Sequence, residues 1–94
     1  MPLEIEPARA VYDEERDIIT FIGMDGMRKV RCLVTRDALR ALARRRAESA
    51  KEMLDAYHSC SPRIHRIAVR KYERRQFDAY GSVFVLLRDV AAEH

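Results

Sequence analysis

The sequence is short of the residues that hold small unusual folds together. Its 94 residues include two cysteines, three prolines, three glycines and no tryptophan. Two cysteines, Cys32 and Cys60, are too few for a disulfide framework and fit a reducing compartment. No stretch approaches the eighteen or so uncharged residues that a bilayer helix needs, so no membrane is expected as a partner. The opening residues Met1-Pro2-Leu3-Glu4-Ile5-Glu6 carry acids where a secretion signal carries bases, and a cytoplasmic location is expected. Nothing repeats and no Pro-, Gly- or Ser-rich stretch marks a linker, which leaves one domain over residues 1–94. Gly23 and Gly26 make no phosphate-cradling loop, because no helix follows them and no Lys-Ser/Thr pair is near.

What is present is a folding chain, 48% apolar and 35% charged. A chain of this length buries roughly 60–65% of its unfolded surface, so its core is small. A surface groove or a subunit interface suits a ligand better than a deep enclosed site. The net charge of +3 hides a segregation: residues 1–27 sum to −5, 28–46 to +7, 47–60 to −2, 61–76 to +5 and 77–94 to −2. Fifteen of the eighteen bases are Arg, whose planar fork meets carboxylate and phosphate bidentately.

Leu3 and Ile5 alternate with Glu4 and Glu6 as in a short edge strand, which Pro7 stops. Residues 17–22 and 29–34 are rich in β-branched and aromatic side chains, and the Asp25-Gly26 pair between them predicts a hairpin. Thr35 caps a following helix, with Asp37 in its first turn. Apolar residues from Leu39 to Tyr57 recur at helical spacing and predict one helix reaching His58, about 33 Å long. Arg44-Arg45-Arg46 interrupts it, either with Arg46 lying along the core or at a bend. Ser61 as cap and Pro62 at the first helical position start a second helix, with Ile64, Ile67, Ala68 and Tyr72 on one face and residues 77–81 closing it. Residues 82–87 are apolar on both faces and read as an interior strand, and Arg88–Ala92 adds one helical turn. The expected fold is an α+β two-layer sandwich, an antiparallel sheet in β-β-β-α-α-β order with two helices on one face.

The pattern Tyr12-Asp13-x-x-Arg16-x-x-Ile19-x-Phe21-x-Gly23-x-Asp25-Gly26, with Thr35-Arg36-Asp37-Ala38-Leu39 and Phe84-Val85-Leu86, resembles a small bacterial family known as domain of unknown function 1488. The resemblance covers about residues 5–90. It implies a short α+β protein and no activity, cofactor or catalytic residue.

Arg63, Arg66, Arg70 and Arg74 step by three, four and four along one helix face, flanked by Lys71 and Arg75. With Arg40, Arg44 and Arg45 they are the candidate contact surface for nucleic acid or an acidic protein surface. The competing reading pairs them with Glu48, Glu52, Asp55 or the acidic N-terminal segment. No stacking platform or helix-turn-helix glycine accompanies them. His58, Cys60, His65 and Cys32 are permitted zinc ligands at an unrecognised spacing, more simply a helix-end histidine, a boundary histidine and buried thiols. Cys60 ahead of a helix N-terminus, beside a histidine, is also a candidate nucleophile without an oxyanion loop or orienting third residue. Glu14-Glu15 falls in a turn as solvated carboxylates. Tyr12, Tyr57, Tyr72 and Tyr80 line the core rim or an interface. No cofactor and no catalytic or metal residue is assigned. The leading reading is a non-enzymatic interaction or regulatory module, self-associating as a two-fold homodimer; the alternative is nucleic-acid binding through the arginine face.

Overall fold

A computed structural model describes residues 3–6 and 10–92. Pro7, expected to stop the first strand, lies outside them. The chain runs β1 (Glu4–Ile5), β2 (Val11–Asp13), β3 (Ile18–Asp25), β4 (Arg28–Thr35), α1 (Arg36–Ala43), α2 (Ala50–Glu73), β5 (Val83–Val85) and α3 (Leu87–Ala92).

The hairpin is the backbone of the sheet. β3 and β4 pair antiparallel from Ile18↔Thr35 to Asp25↔Arg28. The strand therefore continues through Met24 and Asp25, and the turn is Gly26-Met27. Gly26 holds φ 64° at the first central position, where a side chain is disfavoured. β1 and β2 both pair antiparallel with the other edge of β3. The short strand β2, which the sequence reading left out, places Tyr12 beside Ile19. Gly23 lies under β1, and a Cβ there would sit 2.8 Å from Leu3 Cδ1.

Two expectations about the last strand are corrected. β5 pairs parallel with β4, Cys32↔Val83 through Val34↔Val85, so the sheet is mixed. Residues 36–82 form a crossover through helices, the connection that parallel neighbours require. β5 is also three residues long and lies at the sheet edge, in the order β1-β3-β4-β5. It reads as interior because Val83 and Val85 are buried under the helices while Phe84 is half-buried on the opposite side.

The helices differ from the expected pair at their boundaries. α1 begins as expected, with the Thr35 hydroxyl accepting from the Ala38 N–H. It ends at Ala43, where Arg44 takes the left-handed conformation at φ 55°. The chain then leaves the helix to bury Ala47, and Ser49 starts α2. Ser49 Oγ accepts from Glu52 N–H while Glu52 Oε1 accepts from Ser49 N–H, both at 3.1 Å, a reciprocal cap. The single helix to His58 is thus broken at 44–49. The expected break at Ser59–Pro62 is instead a kink inside α2 at Cys60, with φ −124° and ψ 17°. Ser61 donates back to the His58 carbonyl and does not cap forward. α2 ends at Glu73, so residues 77–81 belong to the loop, where Asp78 accepts from Tyr80 and Ser82 N–H.

One face of the sheet carries the core. Ile19, Phe21, Val30, Cys32, Val34, Val83 and Val85 pack against Leu39, Leu42, Met53, Ala56, Tyr57, Ile64, Ile67 and Ala68. At ~25 cal/mol per Å² of apolar area removed from water, each fully buried side chain of this size contributes about 2 kcal/mol before its entropy cost. α1, both arms of α2 and Val90 of α3 all join this one cluster, which leaves the other sheet face without a helix.

Candidate functional site

The end of α1, the second arm of α2 and α3 meet around a groove. The kink at Cys60 re-aims the helix, and from there Ile64 and Ile67 turn to the core while Arg63 and Arg66 stay exposed. A cavity of about 530 Å³ is floored by Leu42, Ile67, Leu87 and Val90 and rimmed by Arg44, Arg63 and Arg66. A second of about 710 Å³ shares Leu42, Arg63 and Arg66 and adds Arg45, Cys60 and Pro62. Among the described residues neither lining includes a carboxylate. Guanidiniums over a low-dielectric apolar floor concentrate positive potential where water is partly excluded.

The candidate arginines therefore divide. Arg44, Arg45, Arg63 and Arg66 are brought together. Arg70 lines an adjoining cavity, which shares Pro62 and Arg66 with the groove and adds Leu3, Ile5, His65 and Glu73. Arg74 is the residue after the α2 C-terminus, and Arg75 takes φ 58° in the turn beyond it. Arg40 lines a pocket with Asp17 and Asp37 at the far end of α1. The pairing of bases with nearby acids holds only in part. Among the described residues the ion pairs are Arg16–Asp13, Arg36–Asp17 and Lys71–Asp89. Arg45 is close enough to Glu52 to stabilise its carboxylate slightly, after the larger contribution of the Ser49 and Glu48 N–H groups.

Lys71 is not a flank of the basic surface. Its Nζ donates to the Phe84 carbonyl at 2.6 Å and to Asp89 Oδ2 at 2.8 Å, both side chains mostly buried. Asp89 Oδ2 also accepts from Leu86 N–H at the start of α3. This cluster fixes α3, and with it Leu87 and Val90 in the groove. The sequence reading missed both floor residues, although Leu87 and Val90 are the three-residue apolar spacing that marks a helical face.

The thiols and histidines do not assemble a reactive centre. Burial pushes the Cys32 thiol up to about 12. Burial also raises Cys60, against a smaller opposing effect of Arg63 and Arg45, and its Sγ–H donates to the Ala56 carbonyl. A thiol kept protonated at neutral pH is a poor nucleophile, and Cys60 lies at a kink inside α2, not ahead of a helix start as expected. His65 Nε2 lies 2.7 Å from the buried Tyr57 hydroxyl, and its ring packs 5.4 Å from Phe21. Desolvation lowers the His65 pKa and so favours the neutral ring, whose Nε2 shares a hydrogen bond with the Tyr57 hydroxyl. Among the described residues no three His, Cys, Asp or Glu side chains group as metal ligands. Of the tyrosines, Tyr57 is core, Tyr12 and Tyr72 are half-buried with their hydroxyls donating to Asp17 and Asp25, and Tyr80 is exposed. No helix among the described residues is long and apolar enough to cross a membrane.

Residues 6–85 match a protein family described as of unknown function, DUF1488. Among curated proteins, none matches the chain. The fold is similar to the crystal structure of a protein of unknown function from the same family from Shewanella loihica PV-4, with a TM-score of 0.82, 18% identity, and 89% of this chain and 91% of that chain covered.

Proposed function

This chain belongs to the DUF1488 family of unknown function, and we propose that it is a non-enzymatic binding module whose groove takes an acidic segment of a partner protein. The observation that carries the reading is the groove itself: Arg44, Arg45, Arg63 and Arg66 around an apolar floor, with no carboxylate in the lining among the described residues. An extended or helical segment with one apolar anchor between acids would fill the floor and meet the rim. Arg44 adds a second argument. A non-glycine residue in the left-handed region costs about 1 kcal/mol or more, where glycine would end α1 at lower cost. Retaining a guanidinium there is consistent with a use for it. The protonated thiols and the Tyr57–His65 hydrogen bond support a non-enzymatic role, and two free buried thiols suit the cytoplasm.

The groove favours an acidic peptide over nucleic acid because a phosphate backbone needs a polar track. Arg70, next along the helix from Arg66, shares its cavity with the Glu73 carboxylate, and Arg74 lies past the end of α2, so no such track continues from the groove. Fluorescence anisotropy with a labelled twelve-residue Glu/Leu peptide at low salt tests the reading. Binding is expected, weakened about tenfold, near 1.4 kcal/mol, by Arg63→Ala with Arg66→Ala. Equal binding by wild type and the double variant overturns it, and tighter capture of a labelled single-stranded oligonucleotide hands the groove to nucleic acid.

A further inference from the structure

The sheet face opposite the groove has no helix, and its residues fall into ordered rows. Register places Glu4, Met24 and Lys29 in one row. The next holds Glu6, Ile22 and Arg31, since Glu6 N–H donates to the Ile22 carbonyl. The third holds Val11, Thr20, Leu33 and Phe84, and the fourth Asp13, Ile18 and Thr35. Alternation along each strand puts these side chains on the side away from the core. Acids thus lie on the β1/β2 side, bases on β4, and an apolar strip runs down β3 between them. Val11 is 63% exposed, and Thr20, Ile22, Met24 and Phe84 are half-exposed, while Ile18 and Leu33 are buried outside the main core.

We propose that this open face docks a second copy of the chain about a two-fold axis parallel to β3. Such an axis exchanges the β1/β2 position with the β4 position and keeps each row at its own height. Glu4 then faces Lys29 of the second copy and Glu6 faces Arg31, each contact occurring twice. Met24, Ile22 and Thr20 pack on their own copies along the axis. Sheets stacked ~10 Å apart bring these charged side chains within reach of each other. The alternative two-fold, across the strands, sets Glu4 against Asp13 and is disfavoured by like charge. Charge therefore selects both the occupant and its orientation. Eight residues at ~3.4 Å and the three strand positions that overlap, at ~4.8 Å, span on the order of 400 Å² per copy, the size of a weak and transient contact, so the dimer is concentration-dependent.

Sedimentation velocity from 5 to 500 μM (roughly the range in which interfaces of this size associate) tests the proposal on the full chain. Wild type is expected to shift from monomer to dimer, and Glu6→Arg and Arg31→Glu each to stay monomeric, with circular dichroism confirming that these exposed substitutions leave the fold intact. Mixing the two variants is expected to restore a dimer, because each copy then offers the charge the other lacks at both contacts. Within each variant residues 6 and 31 carry charges of the same sign, so the restoration cannot come from an intramolecular pair. A wild type that remains monomeric at 500 μM overturns the proposal. Single variants that dimerise like wild type overturn the choice of face, and a mixture that stays monomeric overturns the axis.

Discussion

His65 has its ring half-buried on the inner side of α2, with the Tyr57 hydroxyl on Nε2 and Phe21 against its face. Burial holds its folded-state pKa below the ordinary value of 6.5. The unfolded chain therefore binds the proton more readily, and the sign follows. Stability from this residue is fully present above about pH 6.5, where both states are neutral. It is lost as pH falls through that value toward the lower folded-state pKa. Thermal melts at pH 7.5, 6.5 and 5.5 are expected to show a decline in wild type that is smaller in His65→Gln, whose amide keeps a partner for Tyr57 without titrating. Parallel slopes in the two proteins would show that His65 carries no such linkage.

At the scale of elements, α3 is six residues long and is too short to persist by propensity. The Lys71 cluster holds it: one ammonium joins α2 to the β5 carbonyl and to Asp89, which in turn accepts from Leu86 N–H. Lys71→Met keeps the stem but leaves the Asp89 carboxylate mostly buried without its partner. A loss of about 2–3 kcal/mol is expected in denaturant titrations, from charged hydrogen bonds in a shielded site. Hydrogen exchange should accelerate most across residues 83–92; uniform acceleration instead would deny the local role. The same elements show what was legible in the chain. The hairpin, the Thr35 cap and the Ile64-Ile67-Ala68 stripe could be read because each is set by neighbours within a few residues. The break at 44–49 was also written locally, in Ser49-x-x-Glu52, but Ala47 continued the apolar period and masked it. The parallel β5 was not legible, because pairing depends on where a kinked helix and a long crossover return the chain. The groove was half legible: the arginines could be named, while which four converge depended on the Cys60 kink.

For the whole molecule, the two surfaces lie on opposite sides: the groove among the helices and the self-complementary rows on the bare sheet. A dimer about an axis parallel to β3 stacks helices, sheet, sheet and helices, so its two grooves face outward, on the order of 30–40 Å apart across four layers. They can bridge two objects. Beads carrying the Glu/Leu peptide should therefore agglutinate with wild type at concentrations that populate the dimer, and not with Glu6→Arg, which keeps the groove and is expected to stay monomeric. Free peptide in excess should disperse the clumps. Agglutination by Glu6→Arg equal to wild type would mean that bridging does not run through the sheet face.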